Sequence, residues 1–314
     1  MCGIGGFYRA NEGYVTPWEK EALLDLWIEL EKRGDMAAGV AIPGTDNSIS
    51  ILKGVGPSSE FGPKVWTGAW HKNGMPRWVM LHTRLASHGS AWNNLNNHPM
   101  MSANVVLSHN GVIWNHVNVL EQLGVEPTRQ VDTEAILQCL VRGGIDEAVQ
   151  HVKGSYSIAY SDEPGSLCLF TNGSNPLVYA RLYNGNYFYA STRTIIESLG
   201  LRFKYVKECK PGTLYRFKLN GLEETIYKLP SAIATRRPSI STDWRDYAGK
   251  VDSGPKTAPK GKQTTFKGMR GYDPEKEMGK PSLQPSGIKK VDDGDIDFGN
   301  LVPRRGWRQW RDSY

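Results

Sequence analysis

MCGIGGFY, residues 1–8, places one of the chain's four cysteines directly behind Met1. The plain reading of Cys2 is a small apolar residue at the start of a strand. The sharper reading is a nucleophile that carries its own base. Removal of Met1 would give Cys2 a free α-amine on the same residue as its thiol. A free thiol has a pKa of about 8.5 and an α-amine one of about 8, so the amine can take the thiol proton directly or through a water. While Met1 stays attached, that nitrogen is an amide and cannot act as a base. The rest of the chain has to decide between the two readings.

The chain has 314 residues, of which 39% are hydrophobic and 22% charged, the balance of an ordinary soluble protein. It holds no run of about 18 apolar residues, and its start lacks the basic and apolar regions of a signal peptide. No membrane association is expected. Cys139, Cys168 and Cys209 are far apart and show no CxxC spacing, which argues against a zinc site and against a disulfide framework. A reduced, cytoplasmic setting fits. The net charge of +6 is concentrated late in the sequence. Residues 231–314 hold 17 Lys+Arg against 11 Asp+Glu, whereas the first 230 residues hold 21 of each. Nucleic-acid binding by the folded part is therefore not expected, while the tail is free to touch an acidic partner.

Thr16-Pro17-Trp18-Glu19 reads as a helix start with a capping box, followed by Leu23, Leu24, Trp27, Ile28 and Leu30 at helical spacing and by Gly34 as a stop. SISILKGV, RWVMLHTRL and ANVVLSHNGVIWN read as extended segments. VNVLEQLG, DTEAILQCLVRGG and GGIDEAVQHV read as three helices. SYSIAYSD, SLCLFTNG, PLVYARLYNGNYFYAST and GTLYRFKLNGLEETIYKL return to strands, with Asn184-Gly185 as a hairpin turn. Strands, then helices, then strands indicate a layered α+β domain over residues 2–230. From about 231 to 314 the composition turns to Lys, Gly, Pro, Ser and Asp, which cannot bury enough apolar surface to offset ordering entropy. This stretch reads as a disordered or partner-docking basic tail, ending in PRRGWRQWRDSY.

A thiol attacking a carboxamide needs donors for the oxyanion, and an Asn amide beside a Gly N–H supplies two. Asn110-Gly111 in SHNGVIWN are of that type. A glutamine substrate also needs an Arg fork for its α-carboxylate and a carboxylate for its α-ammonium. Arg84 in HTRLASHG and Asp132 in VDTEAIL are of those types. Taken singly, each has a plainer reading: Asn110-Gly111 as a turn, Arg84 as a surface ion pair, Asp132 as a helix N-cap. His82, His88 and His98 read as hydrogen-bonded structural residues rather than metal ligands. No metal-ligand spacing and no Gly-rich phosphate loop occurs, so no metal or cofactor is expected.

In their order along the chain, these stretches resemble the N-terminal glutaminase domain of class II glutamine amidotransferases, which are N-terminal-nucleophile (Ntn) hydrolases. The matching segments are MCGIGGFY, RGDMAAGVAI, HTRLASHG, NNHPM (like the family's NAHP), LSHNGVIWN and VDTEAI, then VKGSYSIAYSD, YFYASTRTII and KPGTLYRF. The HTR-x-A-S/T-HG wording is nearest the glucosamine-6-phosphate synthase branch. Leu85, Met100 and Val131 depart from the usual motif residues, and none of the three removes a proposed contact group.

The resemblance implies a four-layer αββα sandwich of two antiparallel sheets. It implies glutamine hydrolysis to glutamate and ammonia through a γ-glutamyl thioester on Cys2. Asn110 and Gly111 would form the oxyanion hole, Arg84 would hold the α-carboxylate and Asp132 the α-ammonium. Ser87 and His88 fall where the family makes further substrate contacts. Residues 231–314 are too short and polar for a synthase domain, so a stand-alone glutaminase passing ammonia to a separate synthase partner is expected. A hydrolase of another γ-glutamyl amide, or a scaffold acting through its tail, would fit some of the same residues.

Overall fold

The computed structural model describes residues 2–46, 48–73, 76–86, 88–163, 165–219 and 221–229. Met1, Ser87 and the expected basic tail at 231–314 lie outside the described residues. In chain order the elements are β1 (Gly3–Tyr8), α1 (Pro17–Leu30), β2 (Ala37–Pro43), β3 (Ile49–Val55), α2 (Ser58–Asn73), β4 (Trp78–Arg84), β5 (Met100–Ser102), β6 (Val105–Ile113), α3 (His116–Leu123), α4 (Thr133–His151), β7 (Gly154–Ser161), β8 (Leu167–Thr171), β9 (Val178–Leu182), β10 (Tyr187–Ala190), α5 (Arg193–Glu197), β11 (Phe203–Glu208), β12 (Thr213–Lys218) and β13 (Gly221–Ile226). The strands form two sheets, ordered β11-β9-β10-β1-β4-β2-β3 and β13-β12-β8-β7-β6-β5. Each recorded strand pairing is antiparallel.

Period-2 alternation on the strands builds the layers. Val79 and Leu81 of β4 join Phe7 of β1 and Val40 of β2 on one face, against Leu23, Leu26, Trp27 and Leu30 of α1 and Trp66 of α2. Trp78 and Met80, one step out of phase, join Ile4 and Tyr8 and meet Val106, Ala159 and Leu169 of the second sheet. The far face of that sheet, with Leu107, Ile158 and Phe170, packs on Val119 and Leu120 of α3 and Ile136, Leu137 and Leu140 of α4. The result is the αββα sandwich of two antiparallel sheets. Each fully buried Leu or Phe in these three cores contributes roughly 1.5–3 kcal/mol.

The helix start at Thr16 forms as its sequence suggests. Thr16 Oγ1 accepts from Glu19 N at 3.3 Å, and Glu19 Oε2 accepts from Thr16 N at 2.8 Å. Glu19 is buried, and its second oxygen accepts from Asn184 and Asn186, so the box also pins the β9–β10 turn. In α4 the helical dihedrals break at Gly143 (φ −147°) and Gly144 (φ 69°), where the sequence divides into two helices. Helix α2 has no counterpart in the sequence reading. Gly62 and Pro63 interrupt its pattern, yet a side-chain carbon at Gly62 would lie only 3.1 Å from the Trp27 ring. That glycine lets α2 close onto α1. Strands β2 and β11 and the short α5 are likewise seen only in the structure.

Candidate active site

Strand β1 is the middle strand of the seven, and it runs antiparallel to β4 with Gly3 opposite Thr83. Ala37 at the start of β2 lies opposite Arg84. This register brings Cys2, Arg84 and the entry to β2 to one end of the sheet. By alternation Cys2 shares the face of Ile4, and Arg84 shares the face of Met80, so both address the second sheet. Asn110 on β6 shares the face of Val106 and addresses the first. The three groups therefore all face the space between the sheets.

Cys2 is half-buried. Its Sγ accepts from Leu85 N at 3.4 Å and lies 3.5 Å from Leu85 O. Burial pushes the thiol pKa up, while the Leu85 N–H and the charge of Arg84 pull against that rise. Thiolate formation is thus disfavoured unless a nearby base takes the proton. The Cys2 carbonyl accepts from Arg33 Nε at 2.8 Å. Behind Arg33, a side-chain carbon on Gly34 would lie 2.5 Å from the backbone of both Arg84 and Leu85. The Arg33-Gly34 pair therefore clamps Cys2 and lets the end of β4 approach it. Arg33 sits in the motif RGDMAAGVAI, but no sequence signal gave it this contact.

Arg84 is buried and densely engaged. Nη1 donates to Asn97 Oδ1 at 2.7 Å and to Ser90 O at 3.3 Å. Nη2 donates to Gly89 O at 3.1 Å and to His88 O. His88 thus meets the site through its backbone carbonyl. Asn97 is a junction that the sequence did not reveal. Its Nδ2 donates to Ala91 O and Asn94 Oδ1, and its own carbonyl accepts from Lys53 Nζ at 2.9 Å. Burial, then the charges of Arg129 and Arg84, pull the Lys53 pKa down to about 7.

Asn110 is buried, and its backbone carbonyl accepts from Asn175 Nδ2 at 3.3 Å. Its Nδ2 lies 3.0 Å from Ser191 Oγ, and its Oδ1 has no partner. Gly111 has φ +145°, and any side chain there would run into the Ser155 carbonyl oxygen. Only glycine fits, which leaves that stretch of backbone uncovered by a side chain.

Asp132 does not cap its helix. Its backbone is helical and its side chain makes no capping bond. Instead Oδ2 accepts from Ile113 N at 2.6 Å, tying the start of α4 to the end of β6. Buried Glu134 accepts from Thr128 N, Arg129 N and Arg129 Nη1 and so fixes the loop ahead of Asp132. Below these groups His82, His98 and His109 are buried together. The rings of His82 and His98 lie 4.4 Å apart, and His98 and His109 share Thr133 Oγ1 at 3.1 and 2.9 Å. Burial drives His82 down to about 3 and lowers the other two, so all three are neutral near pH 7. Among the described residues no cluster of three or more His, Cys, Asp or Glu could hold a metal ion. No described helix is long and apolar enough to cross a membrane.

The family model for the glutamine amidotransferase domain (GATase_6) matches residues 38–235. The glutamine–fructose-6-phosphate aminotransferase of Aliivibrio fischeri is 30% identical over 222 residues, covering 66% of this chain and 34% of that protein. The enzyme of the same name from Helicobacter pylori is 29% identical over 239 residues, covering 71% and 38%. The chain thus spans little more than a third of the length of these curated relatives. Among solved structures, glutamine phosphoribosylpyrophosphate amidotransferase from B. subtilis superposes with a TM-score of 0.59 at 21% identity, covering 73% of this chain and 50% of that one. That likeness shows the fold. The family match starts after Cys2, so the position of the thiol rests on the β1–β4 register.

Proposed function

The chain belongs to the glutamine amidotransferase domain family, and on that premise we propose that it hydrolyses glutamine to glutamate and ammonia through a γ-glutamyl thioester on Cys2. The observation that carries this reading is the convergence of Cys2, Arg84, Asn110-Gly111 and Asp132 from β1, β4, β6 and the start of α4. Once Met1 is removed, the Cys2 amine takes the thiol proton, and the thiolate attacks the side-chain carbonyl carbon of glutamine. The oxyanion is met by the Asn110 amide and the Gly111 N–H. Its collapse breaks the C–N bond, and the ammonium of Cys2 returns the proton to the leaving ammonia. A water then attacks the thioester, the amine takes that water's proton, and glutamate leaves with the thiol restored.

Arg84 holds the α-carboxylate, which exchanges with some of the loop oxygens now on the guanidinium. Asp132, with one oxygen held by Ile113, gives the other to the α-ammonium. Ser87 and His88 contribute further contacts to the substrate. The ammonia passes to a separate synthase protein. The basic tail is the docking element for that partner, and the setting is the reducing cytoplasm, which keeps Cys2 a free thiol.

The test is intact-mass spectrometry before and after incubation with a glutamine-analogue diazoketone. Loss of Met1 and a single adduct on Cys2, blocked by excess glutamine, is the expected result. A processed Cys2 that stays unlabelled would overturn the glutamine site.

A further inference from the structure

Ser191, the residue after β10, is fully buried among three hydrogen-bonding groups. Its N–H donates to Ile4 O at 2.8 Å. Its Oγ accepts from Ile4 N at 2.8 Å and lies 3.3 Å from Ile4 O and 3.0 Å from the carboxamide atom of Asn110 assigned as Nδ2. One hydroxyl therefore joins the strand behind Cys2 to the residue of β6 that faces it. The bond crosses from one sheet to the other.

A serine hydroxyl has one proton to give and two lone pairs to receive with. Ile4 N–H takes one lone pair. The proton can go to Ile4 O or to Asn110. Ile4 O already accepts from the Ser191 N–H at 2.8 Å, which leaves one lone pair and a longer 3.3 Å approach for the hydroxyl. If the hydroxyl nevertheless donates there, Asn110 has to turn its NH2 toward Ser191, and its Oδ1 is left buried without a donor. That is an unpaired acceptor where the reaction needs a donor. If the proton goes to Asn110, the carboxamide turns over and Oδ1 accepts it. The NH2 then becomes the open end. Both orientations fill the same volume, and the hydrogen bonds alone select between them.

We propose that Ser191 is a positioning residue whose hydroxyl donates to Asn110 Oδ1 and so turns the Asn110 NH2 toward the oxyanion formed at Cys2. The catalytic consequence rests on the glutaminase reading above, whereas the orientation itself does not. Neutron diffraction from the full-length, perdeuterated protein reads the orientation without any turnover. A deuteron on Ser191 Oγ aimed at Asn110, with the ND2 group on the opposite side, is the expected result. An ND2 group donating to Ser191 Oγ overturns the proposal.

Kinetics supply the second readout. Ser191→Ala lowers kcat for glutamine roughly 10–100-fold with KM nearly constant, a part of the roughly 10²–10³-fold expected for Asn110→Ala. Because Ser191 acts through Asn110, the double variant is no slower than Asn110→Ala alone. Losses that multiply in the double variant, or a Ser191→Ala kcat equal to the parent's, overturn the proposal. Alkylation of Cys2 by iodoacetamide needs no oxyanion donor and keeps its parental rate in Ser191→Ala. A slowed rate would place the effect on the thiol instead and overturn the proposal. A parent protein that turns over no glutamine but shows the expected deuteron strikes the glutaminase reading and leaves the orientation standing.

Discussion

Arg84 comes to the candidate site from the first sheet and Asn110 from the second, and the two are held in opposite ways. All four Nη protons of Arg84 have acceptors in place: Asn97 Oδ1 and the carbonyls of His88, Gly89 and Ser90. Asn110 has one end of its carboxamide on Ser191 and the other on nothing. A buried guanidinium without partners would be costly, so its dipoles are assembled before any substrate arrives. With the carboxamide turned over as proposed, the open end becomes the NH2, and a donor for an oxyanion has its partner only during the reaction. On the proposed reading, Arg84 serves a charge that the substrate always carries and Asn110 one that exists fleetingly.

The sharpest break in this comparison is Cys2→Ala. Glutamine hydrolysis is expected to fall to background while circular dichroism stays unchanged, because among the described residues the thiol bonds only to Leu85. Activity that survives the change would remove the point both groups are said to serve.

Arg84→Lys comes next. A lysine keeps the charge but loses the planar fork. KM for glutamine is expected to rise roughly 10–100-fold with a smaller change in kcat, the reverse of the split expected at Asn110. Loop carbonyls left without donors lower stability by roughly 1–3 kcal/mol. A fall in kcat alone would mean that Arg84, too, works only in the transition state.

The smallest effect concerns the floor beneath both groups. His82 titrates near 3 in the folded protein and near 6.5 when exposed. Between those values the unfolded chain binds a proton that the folded one refuses. Stability from this group is therefore complete above about pH 6.5 and is lost as the pH falls toward 3. Denaturant midpoints at pH 7 and 4.5 should lie closer together in His82→Gln than in the parent. An equal gap would show that His98 and His109 carry the acid sensitivity.

Local patterns made much of the fold legible. The capping box at Thr16 and Glu19, the double glycine in α4 and the Asn184-Gly185 turn are each signalled by neighbours in sequence. Helix α2 was hidden because Gly62 and Pro63 signal a break, and only the Trp27 ring across the gap explains the glycine. The site divides along the same line. Residue chemistry singled out Cys2, Arg84, Asn110 and Asp132 as candidates. Arg33 on the Cys2 carbonyl, Asn97 on Arg84 and Ser191 on Asn110 act through bonds between distant parts of the chain, and no local pattern encodes these. Asp132 shows the reverse error, since its position before a helix invites an N-cap that the structure does not make.

The middle position of β1 has a consequence for how the domain reaches its native state. Gly5 pairs with Leu81 on one side and with Ala190 on the other. The strand made first gains its second neighbour only after β10 has been synthesised, and closing so large a loop is slow. Until then β1 is an open edge, able to pair with strands of other chains. A chain truncated before β10 should therefore aggregate rather than fold in part. Refolding yield should depend on protein concentration more steeply than helix content would suggest.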